Sequence, residues 1–442
     1  MRPVFRTTGR FVEKPRAPMM LLSNGQRIAP SLVYDFLQSA DPIIPAGLTT
    51  TKSISANGTY VNSAGLITQG TSNVWPMDYS PSTLQPLGRR VEEARTNLLL
   101  RSQELDNLVW TPVRGSVTAN SATSPDGTTN ADTFNEDATA ANSHELRQVV
   151  SKAASSITYA YSMFFKASGR NFVNITLWDG AANGVRRYFN ISSGSVGSAA
   201  SFGAGFTEVG SSIESHPNGW YRATLIATSN TATSIAVILY SCEADGSLTP
   251  AVGLNGPAYF GYGAQLEAGS FASSYIPTTT VAVTRAADAL SIPTGSWFNA
   301  SEGTIVAEFI PSTAVTNATD QTILTVTDGT LNEIYSLYRL NTSGNASLYV
   351  ADGGVAQASI TNGGVTAQST ASKAAFGYAV NNFGLVANGG TVRTDTSGTL
   401  PSPTTFYLGS TNGTSVFLNG WLRKLYYYPV RLSDNRLIGL SI

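Results

Sequence analysis

Apolar and polar positions alternate with period two through most of the chain. In "SITYAYSMFFKAS", Ile157, Tyr159, Tyr161, Met163 and Phe165 fall on one face, as in a half-buried strand. In "NFVNITLWDG", Phe172 takes one face and Val173, Ile175 and Leu177 the other. "GWYRATLIATS" and "TSIAVILYSCE" continue the pattern, separated by Asn, Gly, Asp and Ser turns. Many short strands divided by Gly-rich turns predict a sandwich or jelly roll, placed here at residues 109–289. A change of register at "TRAADALSIPTGSWF" marks a boundary near 285–300. Beyond it, "GTIVAEFIP", "QTILTVTD", "YSLYRLN", "ASLYVAD", "TFYLGS" and "GWLRKLYYYP" predict a second sandwich over 290–442. The fold class expected is all-β: two β-sandwich or jelly-roll domains preceded by an extended N-terminal arm and a small β-rich segment.

That small segment, 31–108, is expected to connect the arm to the first domain through short hairpins. Asn57-Gly58 and Ala64-Gly65 flank Thr59-Tyr60-Val61 as hairpin turns do. Within it, residues 91–108 are the best helix candidate, since Val91, Ala94, Leu98, Arg101 and Leu105 fall near helical spacing. A strand entering the next domain is the alternative reading. A second helix is predicted at the C-terminus in "RLSDNRLIGLSI", with Ser433 as N-cap. In the arm, residues 1–30, Pro3, Pro15, Pro18 and Pro30 keep the backbone extended.

Composition narrows the class. Charged residues make up only 12% of the 442 positions against 42% hydrophobic, so Ser, Thr, Asn and Gly must cover the surface. A neutral, hydrogen-bonding surface suits fibrous, secreted or virion proteins. The net charge of −1 gives no bias toward nucleic acid. The arm is the exception: Arg2, Arg6, Arg10, Lys14, Arg16 and Arg27 stand there against Glu13 alone. With Phe5 and Phe11 among them, Arg2, Phe5, Arg6, Arg10, Phe11 and Arg16 are the candidate anchoring residues. The bland alternative is a disordered tail. The single cysteine, Cys242, allows no intrachain disulfide and follows the apolar run Ile235 to Tyr240, which marks it as a buried small hydrophobe. No apolar run approaches the ~18 residues of a bilayer span, and no apolar signal segment follows the basic start. No membrane association is expected.

Catalytic chemistry has little to draw on. The two histidines, His144 and His216, fall in what read as separate loops, and no nucleophile, metal-protease, P-loop or dinucleotide motif occurs. Glu136, Asp137, Glu145, Glu208, Glu214, Glu243 and Asp245 form no recognisable acid–base pair. No enzyme is expected. The aromatic residues carry more signal. Sugar rings pack their C–H faces on Trp and Tyr, while Asn, Asp and Arg bind the hydroxyls. Trp178 ends a strand and is followed by Asp179, Asn183, Arg187 and Tyr188. These five are the candidate glycan-binding residues, with core packing as the alternative for Trp178. Trp220 and Tyr221 are adjacent on one strand and must face opposite ways.

The strings "TYVNSAGLI", "EEARTNLLLRSQELDNLVW", "SPDGTTNADTF", "NGWYRATL", "YGAQLEAGSFASSYIPTT" and "VTRAAD" together resemble tailed-phage structural proteins of the tail, fibre or head-spike type with a carbohydrate-binding-module-like jelly roll. The resemblance covers about residues 55–290. "NGWLRKLYYYPVRLSDNRLIGL" resembles the closing strand and short helix of concanavalin A-like, laminin-G-like sandwiches. The resemblance implies a virion location and allows host surface polysaccharide as a ligand; the arm lies outside it, and its basic and apolar residues are what point to contact with other virion proteins, in a homo-oligomer with a trimer favoured. The resemblance implies no cofactor beyond a structural Ca²⁺, for which Asp126, Asn130 and Asp132 offer oxygens; an ordinary Asp-Gly turn is the alternative. Three roles follow: attachment and glycan recognition, a purely structural decoration or adaptor, and a polysaccharide depolymerase. The last needs a carboxylate pair in a groove.

Overall fold

The computed structural model describes residues 19–21, 27–37, 51–312 and 319–442. The anchoring candidates Arg2, Phe5, Arg6, Arg10, Phe11 and Arg16 lie outside the described residues. At the end of the expected arm, Met20–Leu21 pairs antiparallel with Arg27–Ile28.

The alternating segments fold as antiparallel strands in two packed sheets. Twelve strands make the first sandwich: β1 (Thr111–Val113), β2 (Gly115–Thr123), β3 (Thr129–Glu136), β4 (His144–Ser151), β5 (Thr158–Ala167), β6 (Phe172–Trp178), β7 (Gly184–Asn190), β8 (Ser195–Phe202), β9 (Thr207–His216), β10 (Trp220–Thr228), β11 (Ser234–Cys242) and β12 (Gly256–Ala268). One sheet has the order β1-β4-β11-β6-β7-β8 and the other β2-β3-β12-β5-β10-β9. Their inner faces share one core, including Leu146, Tyr161, Val173, Ile175, Leu177, Val185, Leu225 and Leu239. Burial of this apolar surface is the main stabilising term. Cys242 is buried, as expected, and burial pushes its thiol far up. Trp220 is buried and Tyr221 only partly so.

The second sandwich draws strands from both ends of the chain. Its seven-stranded sheet includes Gln321–Thr327, Ile334–Arg339 and Thr405–Leu408, and closes on Ala289–Pro293 and then Thr51–Ser53. In its eight-stranded sheet, Gly420–Tyr428 pairs with Glu302–Pro311, Pro86–Val91 and Leu32–Asp35. Residues 31–108 therefore do not stand as a separate connecting segment. Leu32, Tyr34, Phe36, Trp75 and Val91 belong to the second core, while residues from Arg95 onward pack on the first.

The helix predicted at 91–108 is absent. Arg95–Asn97 is a strand paired with Val283–Arg285, and turns follow. Along residues 95–99 the buried positions are Arg95, Asn97 and Leu99, a period of two. The Asn97 amide fixes the extended path: its Nδ2 donates to the Ala264 and Ile276 carbonyls, and its Oδ1 accepts from the Leu266 and Leu99 amides. The C-terminal helix forms at Asp434–Leu440 with Ser433 at the N-cap, although the Ser433 hydroxyl makes no capping bond.

A buried ionic cluster joins the two sandwiches. Asp78 accepts from the Trp421 indole at 2.7 Å and from the Val61 amide at 2.8 Å. Glu92 accepts from Ser274, lies 3.5 Å from Arg90 and 3.6 Å from Arg285, and its amide donates to Asp288.

Candidate functional site

The first sheet's inner positions are fixed by the core, so its outer face is fixed by strand parity. Register sets three rows across β4, β11, β6 and β7. Glu145, Tyr240, Asn174 and Tyr188 form the first row. Arg147, Ile238, Thr176 and Arg186 form the second. Val149, Ala236, Trp178 and Gly184 form the third, which Phe202 of β8 extends.

These rows enclose an open depression of about 270 Å³ lined by Glu145, Arg147, Thr176, Trp178, Arg186, Phe202, Ile238 and Tyr240. Thr176 and Ile238 are nearly fully buried and make its floor. Trp178, Phe202 and Tyr240 are half-buried, presenting ring surface to solvent. Arg186 lies over the Phe202 ring at 4.4 Å and hydrogen-bonds the Tyr188 hydroxyl, while its buried Nε has no partner among the described residues. Arg147 lies 3.7 Å from Glu145. Burial, with the Glu145 charge and a hydrogen bond to that carboxylate, pushes the Tyr240 hydroxyl well up, so it stays protonated and donates to Glu145. The face combines apolar ring surface, two forked cations, one carboxylate and hydroxyls.

The five sequence candidates divide. Trp178 and Tyr188 share this face, Trp178 at the depression and Tyr188 buried beside Arg186. Trp178 is not core. Arg187 points inward with Val185 and Phe189; it reaches Glu208 of the opposite sheet at 2.9 Å and the Gly197 carbonyl at 3.0 Å. Asp179 and Asn183 build the β6–β7 turn. Asp179 accepts from the Ala181 and Asn183 amides and from the Asn183 and Asn230 side chains. Burial opposes its charge, but these donors win and hold it near about 2. Arg187, Asp179 and Asn183 therefore hold the structure and do not line the depression. The sequence places Arg186 just after Trp178 but favours Arg187 over it, and residues near in sequence left out Arg147, Phe202 and Ile238, along with Glu145 and Tyr240 as partners of Trp178. Parity carried the missing signal: with a turn at Asp179–Asn183, Arg186 falls on the side of Trp178 and Arg187 opposite.

The remaining carboxylates are engaged elsewhere. Glu136 forms a two-pronged pair with Arg170 at 2.8 Å and accepts from Ser241. Asp137 lies 3.2 Å from His144, and Glu214 lies 3.5 Å from His216. Both histidines are buried at strand ends, His144 opening β4 and His216 closing β9. The Asp126 carboxylate accepts from Ser124, Thr128, Asn130 and Tyr262, the bonding of a turn. Asp132 accepts from the Leu105 and Asn120 amides instead. Among the described residues, no three His, Cys, Asp or Glu side chains are grouped to hold a metal.

No protein-family model matches the chain, and no curated protein does. Several solved structures are similar in part. The CBM40 module of the Ruminococcus gnavus IT-sialidase, bound to α2,3-sialyllactose, is 19% identical over 33% of this chain and 84% of its own, with a TM-score of 0.28. The NanB sialidase of Streptococcus pneumoniae is 16% identical over 33% of this chain and 25% of its own, with a TM-score of 0.29. Domains LG4-5 of the mouse laminin α1 chain are 9% identical over 65% of this chain and 86% of theirs, with a TM-score of 0.22.

Proposed function

We propose that this chain is a non-enzymatic glycan-contacting protein of a phage virion, with the outer face of the first sheet as its recognition surface. The depression between Trp178, Phe202 and Tyr240 carries this reading. It offers ring faces for a sugar's C–H surface beside hydrogen-bonding groups for its hydroxyls. Attachment is assigned to the arm, residues 1–30. That segment spans up to ~100 Å when extended, and its arginines suit carboxylates on a neighbouring virion protein. The neutral surface and the string resemblance support the virion setting.

Binding of the purified protein to host surface polysaccharide tests the recognition role. Wild type should be retained on immobilised polysaccharide and Trp178→Ala released, with no reducing ends generated by either. Equal retention of a folded Trp178→Ala protein would remove this face from the account. Release of reducing ends that a single carboxylate substitution abolishes would make the protein a depolymerase.

A further inference from the structure

Resting on that reading, we infer that the depression selects a sugar bearing a single carboxylate, a uronic or nonulosonic acid. Arg147 and Arg186 sit in one cross-strand row, separated by Ile238 and Thr176. Three strand spacings put their backbones about 14 Å apart, the width of a small oligosaccharide, and both side chains line the same depression. Arg186 lies over the Phe202 ring at 4.4 Å, and a guanidinium is the cation whose planar fork pairs with a carboxylate in two-pronged fashion. Tyr188 is the hydrogen-bonding side chain beside the Arg186 guanidinium, and among the described residues its Nε has no acceptor, which leaves hydrogen-bonding capacity on this cation.

Glu145 sets the charge balance. Two arginines against one carboxylate leave the depression at +1, counting the charged residues that line it. That matches one carboxylate and disfavours a doubly charged phosphate. Glu145, 3.7 Å from Arg147, is an acceptor for a ring hydroxyl next to the bound acid.

The test measures full-length protein against four probes at low salt: 3′-sialyllactose with lactose, and a hyaluronan tetrasaccharide with its carboxyl-reduced form. The inference expects at least one acidic probe to bind roughly tenfold or more tighter than its neutral partner. Which pair shows the preference separates nonulosonic from uronic acid. Arg186→Gln and Arg147→Gln should each shrink the preference severalfold. The half-exposed Arg147 provides a variant that folds even if Arg186→Gln does not. Equal affinity for acidic and neutral probes, with Trp178→Ala abolishing both, would overturn the charge selection and leave the glycan site standing. A preference for acid unchanged in both arginine variants would also overturn it. Failure of every probe, and of host polysaccharide, would remove the site itself.

Discussion

At the residue scale, neighbours in sequence take opposite roles. Trp178 borders the depression, half-buried, so Trp178→Ala should cost little stability, within about 1 kcal/mol. It should weaken glycan binding by on the order of 1–3 kcal/mol through lost stacking area. Arg187 ties β7 to the opposite sheet through Glu208. Arg187→Ala should therefore lower stability by about 1.5–3 kcal/mol, the usual value of hydrogen bonds to a charged group, and leave glycan affinity unchanged. Thermal melts and binding isotherms on the same two proteins read both effects. The aromatic signal at Trp178 was legible in the sequence, because a Trp closing a strand before an Asp-Gly turn sits at the end of a sheet, where its ring reaches solvent. The roles of Arg187, Asp179 and Asn183 were not legible, since composition alone does not tell a turn's internal hydrogen bonds from a ligand's.

At the element scale, the β6–β7 hairpin positions the depression. The turn is stiffened by Asp179 and by Gly180, whose φ of 85° a side chain rarely adopts. Gly184 opens β7 directly opposite Trp178 and Phe202. A Cβ there would meet Phe202 Cζ at 2.4 Å and the Leu177 carbonyl oxygen at 2.6 Å. Gly184→Ala should push Phe202 outward, unseat Arg186 and reduce glycan affinity while the fold persists; titration of the variant checks this. The strands themselves were legible, because period-two alternation with apolar inner positions leaves one arrangement that buries Val173, Ile175 and Leu177 together. The false helix at 91–108 arose because Val91, Ala94, Leu98 and Leu105 match helical spacing by chance. The side chain that decides the matter, Asn97, is polar and buried, and its carbonyl partners at 264 and 276 lie far along the chain.

At the scale of the whole molecule, the second sandwich needs the N-terminal strands. A fragment of residues 290–442 lacks Leu32, Tyr34, Phe36, Trp75 and Val91 from its core and should not fold. A fragment of residues 93–286 retains all twelve strands of the first sandwich and should melt cooperatively. This long-range closure was hidden in the sequence, since pairing partners such as Leu32 and Tyr427 share no local pattern. The ionic junction between the sandwiches makes stability depend on pH. Burial outweighs Arg285 at Asp288 and raises its carboxyl from the ordinary 3.8 to about 7. Its contribution is complete below the ordinary value and is lost as pH rises through about 7. Glu92 runs the other way. Burial is overcome by Arg285, Arg90 and Ser274, its carboxyl is held at about 2, and its contribution is lost only as pH falls from the ordinary carboxylate range through that value. The melting temperature should therefore rise between pH 8 and pH 5, and Asp288→Asn should flatten that rise.

The central claim is that a sugar binds on the outer face of the first sheet. The most direct measurement is a crystal structure of the full chain with a bound acidic oligosaccharide. The account predicts a sugar ring against Trp178, above Thr176 and Ile238, with its carboxylate on Arg186 or Arg147. An ordered sugar elsewhere on the molecule, with this depression empty, would contradict it.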